Sequence, residues 1–449
     1  MNPNLKKYKV MPSVVEADKE TEITIKSVDG NFSFFDDITY NISFIPQDKS
    51  DVVLDEAMSL MGYDLSRKIY KIKPTNGEIK VKYFFSGEQE WRIHISCDEY
   101  GKYQNPLYKH YLPHWNPLIE LPNIGIDLSI YSLEKDLYSR TPLRGDFHVH
   151  TNASDGLESP QLTCAYYRKS GYDFVAITDH HLFNMSKSAK DTLSFVKGFS
   201  ILTGEEIHND YVGFFHMVNI GGQYSVNDIF LKEPDRARRE IAELESEIQI
   251  PAGLDKKEYL YRVWIYRQIK KSGGYAIFPH PFWNIGFNHA SSAMSKAIIQ
   301  NGLCDAFELF GGCTPKGNNM QLALYNDLQA NGFNIPFVAS TDSHSVLRGD
   351  NLKYSSIVFA DGDILKSVDE KYCVAIESLK GETPRIYGSL RLVSYAHFLL
   401  DNYYPMRDEL CAASGLFLEK YISGYESAKE LSMQCENLIC EFENEFFAK

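Results

Sequence analysis

The chain has 449 residues, room for two or three domains, and a hydrophobic content of 44% that allows real cores. Its 46 basic and 60 acidic side chains leave a net charge of −14, which repels polyanions over most of the surface and argues against general nucleic-acid binding. The opening MNPNLKKYKVMPSVVEADKE lacks the apolar core of a signal peptide, and no uncharged run is long enough to span a bilayer, so a soluble cytoplasmic protein without membrane partners is expected.

Residues 1–140 read as β-rich. ETEITIKSV, ITYNISFIPQ, EIKVKYFF and EWRIHISCDE alternate apolar and polar residues between DG, NG and SGE turn signals, the pattern of a small antiparallel sandwich. His94, His110 and His114 in this region have no carboxylate at ligand spacing and read as surface or packing residues. The eight cysteines (Cys97, Cys164, Cys304, Cys313, Cys373, Cys411, Cys435 and Cys440) form no CxxC pair, which fits reduced, packed thiols.

From Arg144 strands alternate with helices. FHVH precedes the helix SPQLTCAYYRKSG, and DFVAIT, FSILTGEEI, GFFHMVNI, GYAIFPH, CDAFELF and IPFVAST follow as strand candidates. EPDRARREIAELESEI and DKKEYLYRVWIYRQIKKSGG read as helices of an insertion at about 228–272. Such βα repeats imply a parallel sheet, open or closed into a barrel, with functional groups at the C-terminal strand ends. The tail from about Ser389 carries apolar residues at three- and four-residue intervals. It reads as amphipathic helices, packed on the barrel, on the β domain or on a second subunit in a homo-oligomer.

The metal-capable residues fall at those strand ends. His148 and His150, two apart on a strand, face the same side. Asp155 sits at the turn after them, His180 ends DFVAITDH, Glu206 lies in TGEEI and His216 in GFFHMV; His280 ends GYAIFPH, and Asp342 and His344 follow IPFVAST. A single histidine there is more often a hydrogen-bonded loop residue than a ligand. Nine such residues reaching strand ends independently is a different matter.

HVHTNASDG, AITDHH, GEEI, FFHMV, FPHP and STDSH, in this order, resemble the motifs of the PHP (polymerase and histidinol phosphatase) family of metal-dependent phosphoesterases. The first motif, HxHxxxSDG, is similar to the TrpH-like branch that contains nucleotide and nucleoside bisphosphate phosphatases. The resemblance runs from about Arg144 to about Gly388. It implies a distorted (β/α)7 barrel over 141–388, between the β-rich domain of 1–140 and the helical segment 389–449. It also implies two or three divalent ions, manganese, zinc, iron or magnesium. His148, His150, Glu206 and Asp342 would hold one; Glu206, His216 and His280 a second; Asp155, His180 and His344 a third. Glu206 rather than Glu205 follows from the GxEI spacing, with Glu205 the alternative if the register differs.

Imidazoles and carboxylates suit such ions, and a water ionised between two of them would attack a phosphoryl group with no serine or cysteine nucleophile. The implied activity is a phosphomonoesterase acting on a small phosphorylated metabolite such as a nucleotide or nucleoside bisphosphate. His181 and His208 are the candidates for protonating the leaving group, each with an alternative role orienting a ligand. Arg348, and less so Lys316, are candidate phosphate clamps, while His289 would line the pocket mouth. Two other readings share the sequence: amidohydrolase-like cleavage of a C–N bond, and a metal-stabilised binding protein whose β domain recognises a glycan or protein.

Overall fold

The structure is a computed structural model that describes residues 3–48, 68–97, 126–208, 215–284, 286–349 and 352–448. The chain forms two compact units, one of residues 1–139, 394–407 and 439–449, the other of residues 140–393 and 408–438. His110 and His114 lie outside the described residues. No helix among the described residues is long and apolar enough to cross a membrane.

In the first unit the period-2 segments become two sheets. β1 (Tyr8–Met11), β3 (Lys19–Ser27) and β6 (Ile79–Phe85) form one, in the order β1-β3-β6. β2 (Val14–Glu16), β4 (Tyr40–Pro46), β5 (Tyr70–Ile72), β7 (Gln89–Cys97) and β8 (Ile126–Leu133) form the other, in the order β2-β8-β7-β4-β5. Alternation puts Ile23, Ile25, Val81 and Phe85 of one sheet in a single apolar cluster with Ile42, Trp91, Ile93 and Leu128 of the other. The pairing is antiparallel except between β2 and β8, which run parallel. The Trp91 indole within this core donates to Ser132 Oγ at 2.9 Å, so its one polar atom is satisfied. His94 pairs across strands with Asp127 at 2.9 Å on the partly exposed face.

The second unit is mixed α/β, built on one ten-stranded sheet. Its strands are β9 (Thr141–Val149), β10 (Phe174–Ile177), β11 (Ser200–Ile207), β12 (Met217–Ile220), β13 (Tyr275–Phe278), β14 (Ala306–Phe310), β15 (Phe337–Ala339), β16 (Tyr354–Ala360), β17 (Cys373–Glu377) and β18 (Arg385–Tyr387). They lie in the order β15-β14-β13-β12-β11-β10-β9-β16-β17-β18. The expectation of a parallel sheet is corrected to a mixed one. β9-β10-β11 and β13-β14-β15 are parallel, whereas β12 is antiparallel to both of its neighbours and β16, β17 and β18 add an antiparallel flank. The reversal at β12 has a simple cause: the stretch between Ile207 and Met217 is too short for the crossover that a parallel neighbour requires.

Several helices begin where the sequence offers a cap. Ser159, Ser225, Asp255, Ser291 and Thr314 each accept a backbone N–H at the start of Pro160–Lys169, Val226–Lys232, Lys256–Lys271, Ser292–Gln300 and Pro315–Ala330. β10, β12, β13 and β14 are buried along their whole length, as strands covered on both faces must be. The sheet curls until the chain beyond β15 meets β9: Asp342 N donates to His148 O at 3.0 Å, and His150 N to Ser343 O at 2.9 Å.

The tail divides between the units. Tyr395 and Phe398 pack on Tyr131 of the first, with ring centroids 5.1 and 5.3 Å away. In the second, the buried Arg168 guanidinium forms a two-pronged pair with Glu436, at 3.0 and 2.6 Å, and Lys169 meets Glu419 at 2.6 Å.

Candidate metal centre

Three groups of ligand-type atoms converge at one end of the curled sheet: His148, His150, Glu206 and Asp342; Glu206, His216 and His280; and His150, Asp155, His180 and His344. All nine sequence-predicted ligand residues are therefore brought together. Glu206 belongs to two groups, and so does His150, which joins the third group beyond what the motifs implied.

The topology explains the convergence. His148 lies on β9, His150 just past it, Glu206 near the end of β11, and His180, His280, Asp342 and His344 just beyond β10, β13 and β15. His216 precedes β12 instead of ending it, and reaches the same rim because β12 runs backwards. Alternation on β11 separates the two glutamates. Glu206 faces the histidines, while Glu205 points the other way and accepts hydrogen bonds from Asn219 Nδ2 (3.1 Å), Ser225 Oγ (2.6 Å) and Val226 N (2.7 Å).

At the heart of the site, His148 Nε2 stands 3.2 Å from Glu206 Oε2 and 3.3 Å from Asp342 Oδ1. His150 Nε2 is 3.3 and 3.1 Å from the same two atoms, and the two Nε2 atoms are 3.2 Å apart. His216 Nδ1 and His280 Nε2 approach Glu206 Oε1 at 2.8 and 3.1 Å. Asp155 Oδ2 lies 3.2 Å from His344 Nε2 and 3.8 Å from His180 Nε2. His280 and Asp342 hold positive φ, 25° and 53°, a backbone state that non-glycine residues adopt at some expense.

The donors fit divalent cations. Both nitrogens of His216 and Nδ1 of His180 are buried without a hydrogen bond although ligand-type atoms of neighbouring residues crowd around them. Buried polar atoms left so are costly, and cations held among these groups would satisfy the one nitrogen or oxygen that each residue turns toward an ion. A set of imidazoles and carboxylates with no thiolate suits manganese, iron or zinc.

Electrostatics reflect the crowding. Burial opposes charge on His150, but hydrogen bonds and attraction from Asp342 and Glu206 outweigh it and raise its pKa to about 9. His148 is likewise raised, against burial, by Asp342 and Glu206. His180, where burial dominates, falls to about 3 and is neutral at physiological pH. Burial would also raise Glu206, yet the surrounding imidazoles of His216, His148 and His180 hold it well below its ordinary range.

The groups open into a cavity of about 1160 Å3. His181 and His208 line it, with ring centroids 5.3 Å apart, and His208 lies 4.6 Å from His216. Arg348 and Lys316 are exposed and are not among its lining residues. Lys353, which sequence reasoning passed over, is the one Lys or Arg among the described residues that line it, with Trp283, Phe282 and Tyr354 supplying aromatic walls. His289 is not at the mouth: it is buried behind His216, whose backbone N–H donates to His289 Nε2 at 3.2 Å.

Sequence reasoning also missed a layer of buried carboxylates behind the ligands. Glu308 Oε2 is 3.1 Å from His148 Nδ1, so it fixes which nitrogen faces the site. Asp179 accepts from Thr151 N (2.7 Å), Thr151 Oγ1 (2.8 Å) and Ser154 Oγ (2.7 Å), tying the loop that carries Asp155 to the end of β10. Glu158 accepts from Ser345 Oγ at 2.9 Å, beside His344. The signal for Glu308 was present, a lone charge inside the apolar run AFELF.

No family model matches the chain. It is similar to an uncharacterized protein of Methanocaldococcus jannaschii, 28% identical over 153 residues, which is 31% of this chain and 68% of that one. Among solved structures it is similar to a two-domain protein of Bacteroides vulgatus containing a predicted PHP-like metal-dependent phosphoesterase, with 20% identity, TM-score 0.37 and 53% of this chain covered; the match spans 65% of that protein's length. It is also similar to an amidohydrolase of Chromobacterium violaceum, with 17% identity, TM-score 0.30, 45% of this chain and 87% of that one. Likenesses this distant assign no activity, so the chemistry rests on the residues of the chain itself.

Proposed function

We propose that the chain is a metal-dependent phosphoesterase of PHP type, acting as a phosphomonoesterase on a small phosphorylated metabolite of the cytoplasm, such as a nucleotide or nucleoside bisphosphate. The observation that carries this reading is the sharing of ligands. Glu206 reaches two donor groups and His150 two, so several cations would sit close together on the floor of one cavity. Bound there, divalent ions would polarise a phosphoryl group and lower the pKa of a water poised to attack it.

The chain's own residues supply the rest. His148, His150, Glu206 and Asp342 would hold one ion, Glu206 with His216 and His280 a second, and Asp155, His180 and His344 with His150 a third. Trp283 and Tyr354 offer flat apolar faces to the organic part of a substrate, and Lys353 meets its negative charge. His181 and His208 stand at the cavity wall within reach of a leaving group. The ordered motifs from HVHTNASDG to STDSH support the PHP assignment, including its (β/α)7 ancestry, and the HxHxxxSDG form supports the nucleotide branch.

The test is to load the protein with manganese and offer nucleotides, nucleoside bisphosphates, sugar phosphates and histidinol phosphate, alongside amide substrates. Phosphate release that is lost in a folded His150→Ala variant is the expected result. Ammonia or amine release without phosphate, or turnover unchanged in His150→Ala, would sink it.

A further inference from the structure

Asp146 is a carboxylate on β9, fully buried, two residues before His148 and absent from the cavity lining. Its Oδ1 accepts from His148 N and Thr341 N, both at 3.1 Å. Its Oδ2 accepts from Tyr167 OH at 2.8 Å and Thr341 Oγ1 at 2.6 Å, and the Tyr167 and Thr341 hydroxyls are themselves 2.9 Å apart. One side chain thus binds three parts of the chain: the ligand strand, the helix Pro160–Lys169 and the residue preceding Asp342.

That last contact matters because of what Asp342 must do. Its φ of 53° is left-handed, a state that costs a residue with a Cβ though aspartate tolerates it better than most, and here the ties of Thr341 N to Asp146 and of Asp342 N to His148 O hold it. Only with the backbone held there does Asp342 Oδ1 stand between His148 and His150, at 3.3 and 3.1 Å. The hydrogen bonds from Asp342 N to His148 O and from His150 N to Ser343 O continue the same lacing toward the site.

We propose that Asp146 is a positioning residue for the cluster of His148, His150, Glu206 and Asp342, with Thr341 its handle on Asp342 and Tyr167 its anchor in the helix. The proposal rests on the metal reading above. The structure also supplies an internal contrast, since Asp179 performs the equivalent tie for the loop bearing Asp155, through Thr151 and Ser154.

The experiment titrates the full chain with Mn2+ by calorimetry and with Co2+ by visible absorption, for wild type and for Asp146→Asn, Thr341→Val, Thr341→Ser and Asp179→Asn. Wild type takes up more than one ion. Asp146→Asn and Thr341→Val weaken one class of ion by roughly 10- to 100-fold and change its Co2+ band, as loss of a supporting partner does. Thr341→Ser, which keeps the hydroxyl, stays near wild type, and Asp179→Asn weakens a different class. Should Asp146→Asn fail to fold, the Thr341 pair gives the answer alone. Uptake unchanged in Asp146→Asn and Thr341→Val, or weakened equally in every class, overturns the positioning role while leaving the metal reading intact. A wild type that takes up no ion overturns both.

Discussion

The donor groups around Glu206 and around Asp155 use the same chemistry in different surroundings. The side chains of His148 and His150 are 0% exposed and that of Glu206 1%, whereas Asp155 is 52% and His344 38% exposed. Inside, water does not compete for the donors, and a carboxylate without a cation is expensive. At the rim, water screens the same atoms and substitutes for them. On the proposed metal reading, the contrast would give two tightly held ions and a third that exchanges with solvent.

The largest effect expected is at the shared carboxylate. Glu206→Gln removes a ligand from both buried groups, so metal content should fall by the two tight ions. Phosphate release should fall by about 10³-fold, since several kcal/mol of charge stabilisation go with them and each 1.36 kcal/mol is a factor of ten. Asp155→Asn should spare the tight ions and lower turnover by roughly 10- to 100-fold, and dialysis of wild type against a weak chelator should strip that same class of ion first. Equal loss of every ion class in both variants would erase the distinction between inside and rim.

A pH effect sharpens it further. In the metal-free protein Asp342 and Glu206 hold His150 protonated up to about pH 9, against the opposing effect of burial, compared with an ordinary value of 6.5. An ion must expel that proton and the one that His148 likewise retains, so affinity at the buried group should climb with pH, by at least about tenfold per unit from pH 6.5 toward 9. The same raised pKa stabilises the metal-free fold fully below pH 6.5, and that contribution disappears as pH rises through about 9. Calorimetry in buffers of different ionisation enthalpy reads the released proton directly. Least affected should be Lys353→Ala: an exposed cation contributes about 1 kcal/mol, so KM rises about fivefold while kcat stays within a factor of about two.

The ligand set was legible because it sits on short motifs whose residues have few other reasons to recur at strand ends. The mixed sheet was not, since reversal at β12 depends on a connection length that strand patterns alone do not encode, and YSSIVFA in β16 hides two serines inside a buried strand. His289 and Lys353 illustrate the same limit: cavity lining is decided by loop paths, which carry no periodicity. Asp146, Asp179 and Glu308 are single carboxylates whose neighbours in sequence do not reveal a partner, and only the fold shows which strand or loop each one holds. Arg348 and Lys316 were placed by nearness in sequence, and the chain turns both outward.

The most direct measurement follows bound manganese and released phosphate together, as metal is added back to chelated protein with a nucleoside phosphate present. The account predicts no release from the metal-free protein and turnover that appears as the buried ions bind. Release that is indifferent to chelation, or full loading with manganese and no phosphate from any ester offered, would contradict it.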